Sequence, residues 1–218
     1  MNIALFGGTF DPIHAGHLRA AKVAARRFGL DRVLFIPSGN PPHKVQERLT
    51  PFVHRLAMVA LACSGDTGLI PSLLEAPHRD GRIYYSVDTA RAVRKALAPG
   101  DRLYFLLGLD SFLDLPHWRQ YARLFDLMDF IVVPRPGLRR HELAAAIPAG
   151  LVPRVAPATV HLLRGVEMAV ASRDIREAVR AGRKVTGLVP KLVEEYIMKE
   201  GLYRPYNRHK KKTAGRTR

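Results

Sequence analysis

Cysteine is almost absent from this chain. The one thiol among 218 residues, Cys63, has no second cysteine to pair with, which excludes an internal disulfide framework and suits a reducing cytoplasm. It closes the apolar stretch Leu56-Ala57-Met58-Val59-Ala60-Leu61-Ala62-Cys63, so a small core thiol is expected there rather than a reactive one. Long apolar runs are missing too. Even runs such as 103–109 fall far short of the roughly 20 residues a membrane helix needs. The amino end has no basic flank ahead of its short apolar run, so no secretory leader is expected. Tryptophan occurs once, at position 118, and acids are scarce, 19 against 35 Lys and Arg, for a formal charge of +16.

That basic excess is unevenly placed. Arg204, Arg208, Lys210, Lys211, Lys212, Arg216 and Arg218 crowd the carboxyl end without an intervening acid, leaving +9 on the body. Residues 205–218 hold one aromatic, no aliphatic beyond Ala214 and no periodicity. They are expected to form a disordered basic tail behind one domain spanning 1–204. Such a tail solubilises, or makes a weak polyanion contact. The body's charge suits a protein that handles highly anionic small molecules, and suits RNA binding nearly as well.

What is present is ordinary in amount and informative in order. The chain is 47% hydrophobic and 25% charged, enough for a core of its own. Short apolar runs alternate with helical stretches, the pattern of an α/β protein with a doubly wound parallel sheet, here with a small helical carboxyl-terminal part. Strands are expected at 2–6, 32–36, 68–71, 102–107, 129–133 and 159–163. Helices are expected at 17–28, 51–63, 86–98, 110–113, 120–127, 140–146, 172–181 and 190–199, with Gly29, Pro99-Gly100 and Gly182 as stops. In such sheets ligands bind beyond the carboxyl ends of strands. The first, second and fourth strands end in Gly7-Gly8-Thr9, in Pro37-Ser38-Gly39-Asn40-Pro41-Pro42-His43-Lys44 and in Gly108-Leu109-Asp110.

The first of these ends carries the strongest chemistry. Gly7 and Gly8 permit positive φ and leave room for a ligand against the main chain. Their N–H groups, with the positive end of the following helix, attract phosphate. His14 and His17 lie three apart across Gly16. With a helix starting near Gly16, both imidazoles face one anion and donate N–H to oxygens whose charge grows during phosphoryl-group chemistry. Positioning suffices for such chemistry without a covalent intermediate. Zinc ligation is a competing reading of the pair, with no Cys, Glu or third His nearby; a purely structural pair is another. The glycines match neither the dinucleotide fingerprint nor a Walker loop.

Gly7-Gly8-Thr9-Phe10-Asp11-Pro12-Ile13-His14-Ala15-Gly16-His17-Leu18 resembles the opening motif of nucleotidyltransferases with an HxGH signature. In detail it is similar to the bacterial nicotinate-nucleotide adenylyltransferases, and the likeness runs from Asn2 to Tyr203. The resemblance implies a Rossmann-like nucleotidyltransferase fold. It implies adenylyl transfer from ATP to nicotinate mononucleotide, giving deamido-NAD and pyrophosphate in cytoplasmic NAD biosynthesis. Mg2+ would arrive with ATP, and no protein-held metal is implied. The catalytic set carried over is His14, His17, Lys44 and Arg176. ATP contacts are expected from Gly7, Gly8, Thr9, Phe10, His14, His17, Lys44, Ser172, Arg173 and Arg176.

Later segments extend the likeness. The loop ending in Lys44 resembles a P-x-x-x-P-P-H-K element that sends its lysine to the triphosphate; a proline-stiffened loop delivers such a charge at low ordering cost. Tyr85-Ser86-Val87-Asp88-Thr89 resembles a Y-T-x-D-T helix start that holds the nicotinate carboxylate through backbone N–H near the last threonine, so Tyr85, Ser86, Asp88 and Thr89 are candidates; Ser86 or Asp88 capping the helix is a compatible role. Tyr84 stands where relatives often have serine. Gly108-Leu109-Asp110-Ser111 and Leu115-Pro116-His117-Trp118 resemble G-x-D-S and L-P-x-W. They imply Gly108 and Asp110 at a ribose and Trp118 stacked on the pyridine ring. Arg119 replaces a tyrosine common in relatives.

Val170-Ala171-Ser172-Arg173-Asp174-Ile175-Arg176 matches I-S-S-T-x-I-R imperfectly, with Ala171 and Arg173 as departures. Ser172 suits an N-cap, which puts Arg173 and Arg176 at the wrong end of a helix dipole unless an anion, a phosphate or Asp174, offsets them. The closing segment 188–203 reads as packing. Two rivals stand beside this reading: another HxGH transferase acting on nicotinamide mononucleotide, phosphopantetheine or a cytidylyl donor, and an RNA-binding protein using the basic tail.

Overall fold

The computed structural model describes residues 1–40, 49–134, 148–151, 159–166 and 170–205. Along the chain run β1 (Asn2–Gly8), α1 (Ala15–Phe28), β2 (Arg32–Pro37), α2 (Phe52–Cys63), β3 (Leu69–Pro71), α3 (Ser86–Ala96), β4 (Arg102–Gly108), α4 (Leu109–Leu113), a 3-10 turn (Leu115–His117), α5 (Tyr121–Leu127), β5 (Asp129–Val133), β6 (Val160–Leu162), α6 (Ser172–Arg180) and α7 (Lys191–Glu200). All six expected strands are present, each end within two residues of its expected place. The helix expected at 140–146 lies outside the described residues.

The strands form one parallel sheet in the order β3-β2-β1-β4-β5-β6. Chain order reverses between β1 and β4, where Leu5 sits opposite both Leu34 and Phe105. The two connections leave the sheet on opposite faces there, which opens a crevice beyond the strand ends.

Strand alternation divides the core in two. Ala4, Phe6, Tyr104 and Leu106 point to one face, where they meet α1 (Ala20, Ala21, Ala24), α2 (Met58, Val59, Cys63) and the carboxyl-terminal helices (Ile175, Val179, Val193, Ile197). Ile3, Leu5, Leu103, Phe105 and Leu107 point to the other, against Val87, Ala90 and Val93 of α3, Phe112 of α4 and Leu124 of α5. The carboxyl-terminal helices thus complete a helical layer instead of standing apart. Cys63 is buried in the first core, and burial pushes its thiol up to about 12, as suits an inert core thiol. Among the described residues no helix is long and apolar enough to cross a membrane.

Candidate active site

The chain leaves β1 through a loop held by side chains from distant elements. Gly7 and Gly8 are extended strand residues, and the positive φ falls on Phe10, at 49°. The glycines are needed for space, not for left-handed backbone. A Cβ on Gly8 would come within 3.1 Å of the Phe10 ring. Phe10 itself is buried against Phe6, Phe35 and His17, so any ATP contact from it must come from its backbone.

His14, in extended conformation, is the N-cap of α1, which therefore starts at Ala15, earlier than expected. His17 falls in the first turn, and the two rings stack with centroids 3.7 Å apart at 28°. The His14 backbone N–H donates to His17 Nδ1 at 3.2 Å. That bond puts the proton of a neutral His17 on Nε2, which is left as a donor. Burial lowers His14 to about 4 and holds His17 well below the ordinary imidazole value, with His14 adding to the effect. Both rings are thus neutral donors at pH 7. His14 is 2% exposed, and its Nδ1 has no hydrogen-bond partner among the described residues. A buried polar atom without a partner is disfavoured, and an oxygen ligand would satisfy it.

Beside the loop, at the carboxyl ends of β1 and β4, lies a cavity of about 320 Å³. Its wall includes Gly7, Gly8, Thr9, Ser38, Glu75, Ser86, Thr89, Gly108, Ser111 and Trp118. Small residues on both strand ends make the space, as the topology of the switch point requires. Trp118 packs edge-on against Phe105, centroids 6.0 Å apart, and its Nε1–H donates to Asp114 at 3.0 Å. The indole is therefore aimed and anchored at once. Glu75 is the one charged side chain among the described residues of the wall, and it accepts a hydrogen bond from Thr89 Oγ1 at 2.9 Å. Burial raises its carboxyl above the ordinary range, partly offset by that bond. Gly39 is forced, because a Cβ there would collide with the Glu75 carbonyl.

Helix α3 begins at this wall without a side-chain cap. The Thr89 N–H is already spent on the Tyr85 carbonyl at 3.2 Å, as is that of Asp88 at 2.9 Å. The first-turn N–H groups left open are thus those of Ser86 and Val87, which helix geometry leaves unpaired. Asp88 is exposed and paired with Arg91. Tyr85 lies under the Arg119 guanidinium, 4.5 Å from its ring centroid, so the departure at 119 meets the first residue of the α3 motif in a cation–π contact. Asp110 sits exposed in the first turn of α4.

From the other side comes α6. Its N-cap is Ala171, so Ser172 is the first helical residue and not the cap. The hydroxyl reaches across instead, donating to the Pro12 carbonyl at 2.9 Å, and Arg176 donates to the Asp11 carbonyl at 2.7 Å. Both residues are thereby brought against the motif loop. Arg173 is not; it is exposed, 3.5 Å from Asp174 and 3.8 Å from Glu177. Lys44 lies outside the described residues.

Sequence reasoning passed over four residues that structure this site: Asp11, Arg55, Glu75 and Tyr203. Arg55 was visible as the single Arg in α2, whose other residues apart from His54 are apolar. It is 2% exposed and bonded to the Thr9 and Thr50 carbonyls. Tyr203 lay in a segment read as packing, and nothing local tied it to Asp11.

A family model described as cytidylyltransferase-like matches residues 5–183. A protein of Geobacter sulfurreducens named "Probable nicotinate-nucleotide adenylyltransferase" is 40% identical over 93% of this chain and 98% of its own length. One of Solibacter usitatus with the same name is 43% identical over 87% and 93%. Among solved structures, Plasmodium falciparum nicotinic acid mononucleotide adenylyltransferase complexed with NaAD overlays with a TM-score of 0.72 at 18% identity, covering 93% of this chain and 97% of that one. That likeness speaks for the fold; the sequence relatives speak for the family. With the signature histidines at the head of α1 and matching relatives along nearly the whole chain, the protein belongs to the cytidylyltransferase-like family and, within it, to the nicotinate-nucleotide adenylyltransferases.

Proposed function

We propose that the protein transfers the adenylyl group of ATP to the 5′-phosphate of nicotinate mononucleotide, releasing pyrophosphate and forming deamido-NAD. One juxtaposition carries the reading: two neutral, stacked imidazoles at the start of α1, with Ser172 and Arg176 of α6 bonded to the loop before them, beside a cavity walled by Ser86 and Trp118. An oxygen of the acceptor phosphate attacks the α-phosphorus of ATP, and the bond to the β-phosphate bridging oxygen breaks. The attacking group is already an anion, so no general base is needed. His17 Nε2–H and the buried His14 ring stabilise charge on the transferring group without passing a proton.

Arg176, Ser172 and the basic Lys44 hold the leaving pyrophosphate, with the backbone of Gly7, Gly8, Thr9 and Phe10 against the nucleotides. Magnesium bound to the triphosphate supplies charge neutralisation across the leaving phosphates. Trp118 offers its face to the pyridine ring and Asp110 its carboxylate to a ribose. The Ser86 and Val87 N–H groups receive the nicotinate carboxylate. A carboxamide brings its own donors to these donors and leaves one unpaired, which favours the acid. The setting is cytoplasmic, and the basic residues of 205–218 make at most a weak polyanion contact.

The test is pyrophosphate release by purified protein with ATP and a panel of acceptors. Turnover with nicotinate mononucleotide well above that with nicotinamide mononucleotide or phosphopantetheine is expected. Equal use of acid and amide would remove the role given to α3, and preference for another acceptor would overturn the assignment.

A further inference from the structure

The motif loop is fastened at three successive points by groups from elsewhere in the chain. The Thr9 carbonyl accepts from Arg55 at 2.8 Å. The Asp11 carboxylate, 3% exposed, accepts from the Tyr203 hydroxyl at 2.7 Å through Oδ1 and from the Thr50 N–H at 3.1 Å through Oδ2. The Asp11 carbonyl accepts from Arg176 at 2.7 Å. Between the first two points Phe10 is held at φ 49°, a left-handed conformation that a bulky side chain does not choose unaided. Burial lowers the Arg55 guanidinium below its ordinary value, and the Asp11 carboxylate beside it offsets part of that. The Tyr203 phenol is buried beside that carboxylate and raised above its ordinary range, so it stays a donor.

From this geometry we infer that Tyr203, with Arg55, is a positioning residue of the transferase. Through Asp11 it sets the backbone between the strand end that meets the nucleotides and the histidine that heads α1. The inference rests on the proposed adenylyl transfer. Tyr203 follows the left-handed Gly201 that ends α7, so the last described turn of the chain helps aim the first motif, 192 positions away.

Tyr203→Phe removes one hydroxyl and keeps the ring. Tyr196→Phe is its control: Tyr196, on α7, gives up a comparable bond, to His54 Nδ1 at 2.8 Å, with no tie to the motif loop. If Tyr203 positions the loop, kcat of Tyr203→Phe falls about tenfold or more, since small misplacements of reacting groups are that damaging. KM for the acceptor stays within about twofold of wild type, and Tyr196→Phe keeps a wild-type kcat. If both variants lose thermal stability and neither loses kcat, or both lose kcat alike, Tyr203 is packing and the inference fails.

A second readout needs no turnover. In ¹⁵N-labelled full-length protein, the His17 tautomer is reported by its ring nitrogen shifts. Tyr203→Phe should change that pattern and Tyr196→Phe should not; an unchanged pattern in both overturns the inference. Should wild type fail to use the proposed substrates, the assignment of function fails, and these shifts still decide the role of Tyr203.

Discussion

The two sides of β1 are built by opposite means. On the α1 side, the motif loop is tied by Arg55, Arg176, Ser172 and Tyr203, all distant in sequence, and its imidazoles are desolvated and neutral. On the β4 side, the cavity is walled by residues that their own local segments place: Ser86 and Thr89 at the head of α3, Gly108 at the end of β4, Trp118 after a 3-10 turn. Phosphoryl transfer tolerates little error in the placement of its donors, so the reacting end is over-determined. Recognition of a flat ring needs a stacked face and a few donors, which local structure supplies.

The largest expected effect falls on the reacting side. His17→Ala should lower kcat by about 10²–10³-fold, the range seen when one preorganised donor is removed from a transferring centre, with the protein still folded by circular dichroism. A rate within tenfold of wild type would erase the contrast between the two sides.

Next comes pH. His14 is lowered from its ordinary 6.5 to about 4. Between these values the unfolded chain binds a proton the folded one refuses, so stability is complete above pH 6.5 and declines as pH falls toward 4. At pH 4.5 the loss from this one group is on the order of 2–3 kcal/mol. Urea denaturation at pH 7 and pH 4.5 should show that difference shrinking by about this much in His14→Asn. An undiminished difference would mean the ring is not the source.

On the recognition side, Trp118→Ala should raise KM for the acceptor about tenfold, the scale of one aromatic stacking contact. KM for ATP should hold. Parallel changes in both would dissolve the division of labour. Smallest is Arg119→Ala, which removes an exposed cation–π contact with Tyr85 and should shift unfolding free energy by less than about 1 kcal/mol. A larger shift would show that this side too depends on more than local order.

How far the sequence could be read depends on the range of the interaction in question. β1 and α1 were legible because strand alternation, small residues and a left-handed Gly29 after Phe28 act locally. The 3-10 turn at Leu115–His117 was not, since three residues leave no periodicity to read. Ser172 was expected to cap α6 because its residue type does so in isolation. In the fold the Pro12 carbonyl competes for that hydroxyl and wins. Which N–H groups a helix leaves unpaired follows from where it begins: α3 begins at Ser86, so the open donors are those of Ser86 and Val87, while the Thr89 N–H is bonded to the Tyr85 carbonyl.

By itself the sequence determined the alternation of strands and helices, the glycines that leave room at the ends of β1 and β4, and the pairing of His14 with His17, because period and spacing act within a turn or two of chain. Only tertiary structure decided that Arg55 and Tyr203 would hold the motif loop, that both rings would be desolvated and neutral, and that Glu75 would face the cavity. Those outcomes require segments far apart in the chain to be brought to one sheet end, and desolvation exists only once they have been.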